Sequence, residues 1–98
     1  MSDYQPTNYE TVAASQTNQV LGTNGKAGDW LEALIVTVAT AATGVVSIND
    51  NGGTSIPITA ANTPIGVYVV KLQLRSRLGG WRVTTDAGAS VIATGDFG

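Results

Sequence analysis

Ninety-eight residues make one domain, close to the smallest size that holds a core unaided, so stability should be marginal unless a partner buries more surface. Apolar residues supply 43% of the chain and charged residues only 12%, about half the usual charged share, so Thr, Ser, Asn, Gln and Gly must cover the outside, as suits a protein packed against neighbours. The absence of cysteine and histidine excludes disulfides, thiolate zinc sites, the usual general base and every Ser–His or Cys–His triad, and a net charge of −2 exerts no overall pull on nucleic acid or acidic membranes.

Residues 1–18 carry no apolar period and are rich in Ser, Thr, Asn and Gln. The start, Met1 to Pro6, is polar and acidic, unlike a secretory signal. This stretch reads as an extended N-terminal arm, loose or ordered by lying on a neighbour, with Tyr4, Tyr9 and Val12 as anchors. The sandwich domain is expected over 19–98.

Asn18 to Thr23 is a short strand candidate closed by the turn pair Asn24-Gly25. Trp30 to Thr40 follows as a long strand with two largely apolar faces. That pattern predicts a central strand, covered by the opposite sheet on one side and by a subunit or the arm on the other. The β-branched run Ile35-Val36-Thr37-Val38 argues against a helix. The apolar run from Leu31 to Ala42 is interrupted by Glu32, Thr37 and Thr40 and is too short to span a bilayer.

Gly44 to Ile48 is a strand, and Asn49 to Gly53 is a turn. Thr54 to Thr59 returns, with Ile56 and Ile58 inward; Pro57 assigns it to an edge, because proline cannot donate to a ladder. Ala60 to Gly66 is a crossing loop. From Val70 the chain alternates strictly, with Val70, Leu72, Leu74 and Leu78 on one side and Lys71, Gln73, Arg75 and Arg77 on the other. Gly79-Gly80 then predicts a two-residue hairpin turn into Trp81 to Asp86. After the turn at Asp86-Ala87-Gly88, Ala89 to Thr94 is the last strand. Seven or eight short strands with frequent turns predict an all-β antiparallel sandwich, jelly-roll-like.

The hairpin would set Arg77 opposite Arg82, an unfavourable like-charge pair that an acidic group would relieve. Glu32, Asp29 or a partner protein could supply it. The basic face with Arg75, Arg77 and Arg82 is therefore an intersubunit or partner contact, a solvated face, or a nucleic acid contact. The last is disfavoured by the negative net charge and by the absence of interleaved aromatics. Asn49 to Gly53 lacks the spacing of a calcium loop. Asp29 and Glu32 fall on opposite faces of a strand and form no glycosidase pair. Trp30 and Trp81 could stack a sugar, but an inward Trp81 sharing a face with Val83 is more simply core. Gly22, Gly25 and Gly28 lack a phosphate-loop setting. No catalytic residue, cofactor or metal is expected, and the chain reads as non-enzymatic.

Several segments together resemble a module of tailed-bacteriophage virion proteins: Gly28-Asp29-Trp30-Leu31-Glu32, Ala39-Thr40, Gly44 to Asp50, Gly80-Trp81-Arg82-Val83-Thr84-Thr85 and Gly88 to Phe97. The likeness spans about residues 28–98. Val38 stands where many such modules have proline, and Asp86 to Ser90 differs from their Gly-Ala-Asn turn. The resemblance implies a small jelly roll with no catalytic residues. It implies a capsid decoration (cement) protein on the outside of the phage head, made in the host cytoplasm. It further implies a homo-oligomer, a trimer, that ties major capsid proteins together without nucleic acid or membrane. On that reading Tyr4, Tyr9 and Val12 make the arm contact, and Arg75, Arg77 and Arg82 meet an acidic partner. A tail, baseplate or connector component, or a host-receptor or carbohydrate-binding module, are the alternatives.

Overall fold

The computed structural model describes residues 8–23, 25–40 and 44–97. Eight strands follow in order: β1 (Asn8–Val12), β2 (Gln19–Val20), β3 (Trp30–Val38), β4 (Val46–Asp50), β5 (Ile56–Thr59), β6 (Gly66–Arg75), β7 (Trp81–Thr84) and β8 (Ala89–Asp96). They make two antiparallel four-stranded sheets, ordered β1-β8-β3-β6 and β2-β7-β4-β5. The pairing is nested, β1 with β8, β2 with β7, β3 with β6 and β4 with β5. Such nesting is a chain doubled back as one long hairpin and then wrapped, so that successive pairs fall in alternate sheets. The ladders β3–β8 and β4–β7 complete each sheet. This is the jelly-roll topology, and no described residue is helical.

Period-two alternation explains the layers. Val91 and Ala93 of β8 and Trp81 and Val83 of β7 point inward and are buried, while their neighbours face out. Strand β3 is central, as expected, and lays Leu31, Leu34, Val36 and Val38 into the same core as Val46 and Ile48 of β4. Full burial of such a side chain stabilises by roughly 1.5–3 kcal/mol. Pro57 sits on an edge strand, as its missing N–H requires.

The predicted hairpin at Gly79-Gly80 does not form. Strand β6 ends in one sheet and β7 begins in the other, so 76–80 is a crossover. Alternation holds over β6 as far as Gln73, with Val70 and Leu72 half-buried and Lys71 and Gln73 exposed, but Leu74 and Leu78, both expected inward, are exposed. Acceptors on the neighbouring strand draw the chain away. Asp50 at the end of β4 accepts from the Ser76 hydroxyl (2.6 Å) and from the backbone N–H groups of Arg77 (2.7 Å) and Leu78 (3.1 Å). Gly80 is needed for close approach, since with φ of 110° its missing Cβ would stand 2.7 Å from the Gly25 Cα.

The expected N-terminal arm also needs correction over residues 8–18, which belong to the sandwich. Strand β1 pairs along β8, and Val12 is fully buried in the chain's own core rather than on a neighbour. Asn8 exchanges hydrogen bonds with the Phe97 backbone, donating to its carbonyl (2.9 Å) and accepting from its N–H (3.3 Å). Past β1, the Thr85 hydroxyl donates to the Ala13 carbonyl (2.6 Å) and accepts from the Gln16 N–H (2.9 Å). The polar residues that made this stretch look loose are therefore spent on holding it. Ile56, expected inward, pairs in register with the buried Ile48 but is itself 38% exposed, on the outermost strand of its sheet.

Candidate interaction surface

Two outer faces result, one on each sheet. On the β1-β8-β3-β6 sheet, registered neighbours build a row across all four strands: Thr11 beside Ile92, Ile92 beside Ile35, and Ile35 beside Val69. Val67 lies beside Thr37 in the next row, and Tyr9 beside Thr94 in the row on the other side. Tyr9 is 72% exposed, Val69 65%, Val67 64% and Ile92 38%. An apolar band of this kind, contiguous across strands, is what an interaction surface presents, whereas single exposed apolar residues mean nothing.

The band gives way to polar residues at one end. There the Arg75 guanidinium lies over the Trp30 ring, 5.5 Å from its centroid, and donates to the Gly28 carbonyl (3.2 Å). Glu32 accepts from the Trp30 indole N–H (3.2 Å) and from the Gln73 side chain (3.3 Å). A bulge at this point carries Gln73 to φ of 53° and interrupts the ladder between β3 and β6, which resumes at Leu31–Leu74 and Trp30–Arg75.

The other sheet turns a different face outward. Arg82 of β7 pairs in register with Val20 and Asn49, not with Arg77, and donates to the Asn51 side chain (3.0 Å). The same Asn51 donates to the Leu78 carbonyl (3.0 Å). Asn49 donates to Asn18 (2.7 Å) and accepts from the Gly52 N–H (2.6 Å), which closes the predicted turn at Asn51-Gly52, while Asn49 and Asp50, expected within that turn, end β4. Glu10 ties the two sheets at their margin, accepting from the Gln19 side chain and the Gly22 N–H, both at 2.8 Å.

Asp50 is the most heavily used of these acceptors. Burial pushes its carboxyl up, but hydrogen bonds donated by Ser76, Arg77, Leu78 and Gly80 more than offset this and hold it below the ordinary carboxylate value. Ser76 passes the connection on, its hydroxyl oxygen accepting from the Gly80 N–H (2.7 Å).

The expected site residues are thus scattered. Tyr4 lies outside the described residues. Tyr9 is on the apolar face, Val12 is core, Arg75 is at the polar end of the Tyr9 face, Arg77 is in the crossover and Arg82 is on the opposite sheet. The like-charge pair of Arg77 and Arg82 that motivated a basic contact does not exist as a ladder pair. Trp81 is core, 4% exposed, so it shares no stacking surface with Trp30 on the outer face. Ile35, Val67, Val69 and Ile92 were missed as surface residues. Only the strand partners, which depend on topology, line them up. Among the described residues no cluster of acids could hold a metal ion. Comparison with family models, with curated proteins and with solved structures gives no match for this chain.

Proposed function

We propose that this chain is a non-enzymatic virion structural protein, a capsid decoration protein that lies on the outside of a phage head. The reading rests on the resemblance of residues 28–98 to such modules, and the observation that carries it is the neutral apolar band across β1, β8, β3 and β6. The four residues Ile35, Val67, Val69 and Ile92 carry no charge and suit a protein surface, and the single Lys71 that follows Val69 on the same face is too little to hold a phosphate backbone. Decoration needs many weak, equivalent contacts, because each attached copy in an oligomer raises the effective concentration of the next site. The major capsid protein is the partner on this reading, with the apolar band as the contact. Attachment there leaves the hydrogen-bonded face of the other sheet in solvent.

The test is cosedimentation of the purified chain with capsids that lack it. Wild-type chain should sediment with the shells, and Ile92→Lys, which places a charge in the middle of the band, should stay in the supernatant while keeping its fold. Undiminished attachment of Ile92→Lys contradicts the use of this face. Binding to tail structures instead of shells favours a tail or connector component using the same surface.

A further inference from the structure

We propose that β6 is a self-association strand, through which two copies of this chain join edge to edge and antiparallel into one continuous eight-stranded sheet. The four sheet edges are not alike. Strand β2 has only two residues, β5 has four and carries Pro57, and β1 has five. Strand β6 has ten residues, contains no proline, and among the described residues pairs on one side only, with β3. A long edge of this kind presents a row of N–H and C=O groups, and the group that satisfies such a row is another strand. Protein edges are ordinarily blunted by charge, proline or a bulge. Here those devices flank the first half of the strand: Pro64 precedes it, and Lys71 and the Gln73 bulge lie in its second half. The stretch from Gly66 to Val70 has none of them.

The occupant is a second copy because the segment, uncharged from Gly66 to Val70, can pair with itself without opposing like charges and with its side-chain directions matched. A two-fold axis at Tyr68 sets Val67 of one copy opposite Val69 of the other, and Gly66 opposite Val70. Both valines face outward, so the pairing keeps every side chain on its own side of the sheet. The one charge in reach, Lys71, falls past the paired segment, at the bend that precedes Gly66 of the other copy, and so faces no other charge. The two Lys71 ammonium groups are six residues apart along the strand, about 20 Å at the usual rise, well beyond the screening length of about 8 Å in physiological salt. The join also makes the apolar band continuous across both copies, which doubles the surface offered to a third party. The pairing does not depend on where the protein attaches, and it sets a two-fold dimer in place of the trimer that the resemblance implied.

The experiment is sedimentation of the full chain up to about 500 µM, a range set by the small area that one strand pair buries. The expected species at high concentration has twice the 10.0 kDa chain mass, and hydrogen exchange across Gly66 to Val70 slows as it forms. Val67→Lys with Val69→Lys should weaken association by about tenfold or more, since it puts like charges on the paired edge, with unchanged circular dichroism. Ile92→Lys, two strands away, should leave association intact. A monomer at every concentration, a trimer, survival of the dimer in the double variant, or its loss in Ile92→Lys overturns the pairing. Capsid attachment of a chain that proves monomeric or trimeric would leave the decoration reading standing without it.

Discussion

The two outer faces of this sandwich differ in what their side chains are already doing. On the β2-β7-β4-β5 side, Arg82, Asn49, Asn51 and Asp50 all have partners within the chain, and most of those partners are turns or crossovers. On the β1-β8-β3-β6 side, Val67, Val69 and Ile92 project without any such engagement. The polar face looks functional in a sequence, because charge and amide are what sites are made of. In the folded chain those groups hold loops in place, and the plainer face is the one left available. Low charge content in a small domain favours this division, because many of its few polar side chains are spent on the backbone of the turns and crossovers that two short sheets require.

Substitutions can break the comparison where it is strongest. Asp50→Ala removes the acceptor for three N–H or O–H donors of the crossover and should cost roughly 2–3 kcal/mol, as expected for charge-assisted bonds, read as a lower denaturation midpoint. A loss within experimental error of zero would mean that the polar face is not structural. Thr85→Val, which leaves the Ala13 carbonyl and the Gln16 N–H without their partner, should cost about 1–2 kcal/mol and should speed exchange of the residue 13–16 amides.

Acid sharpens the same point. The folded pKa of Asp50 is depressed, so its stabilisation is complete above the ordinary carboxylate value and is lost as pH falls through the folded one. Urea midpoints should therefore fall on acidification in that window, and the part due to this residue should vanish in Asp50→Asn. An identical pH profile for the variant would remove Asp50 from the account. At the small end, Arg82→Ala loses a single bond to Asn51 and should cost no more than about 1 kcal/mol. Ile92→Lys and Val69→Lys should change stability by no more than about 0.5 kcal/mol, as surface substitutions do, while Ile92→Lys loses attachment to capsids.

Much of the fold was legible because alternation is a local signal. The inward Trp81 and Val83 of β7, the central place of β3 and the edge place of β5 follow from periodicity and from Pro57. What the sequence hides is set by pairs far apart in the chain. Gly79-Gly80 carries the same dipeptide signal whether it turns a hairpin or packs against Gly25, and the choice is made by Asp50, 26 residues before Ser76. Residues 8–18 read as an arm because their anchors, Thr85 and Phe97, lie some 70 to 90 positions away. The candidate surface was hidden for the same reason. Ile35, Val69 and Ile92 are neighbours only after β3, β6 and β8 have paired.

The central claim is that this chain coats a capsid lattice, and copy number tests it most directly. Quantitative protein analysis of particles produced by the strain that carries this gene should find the chain in numbers comparable to the major capsid protein. A few copies per particle, or none, would contradict the claim.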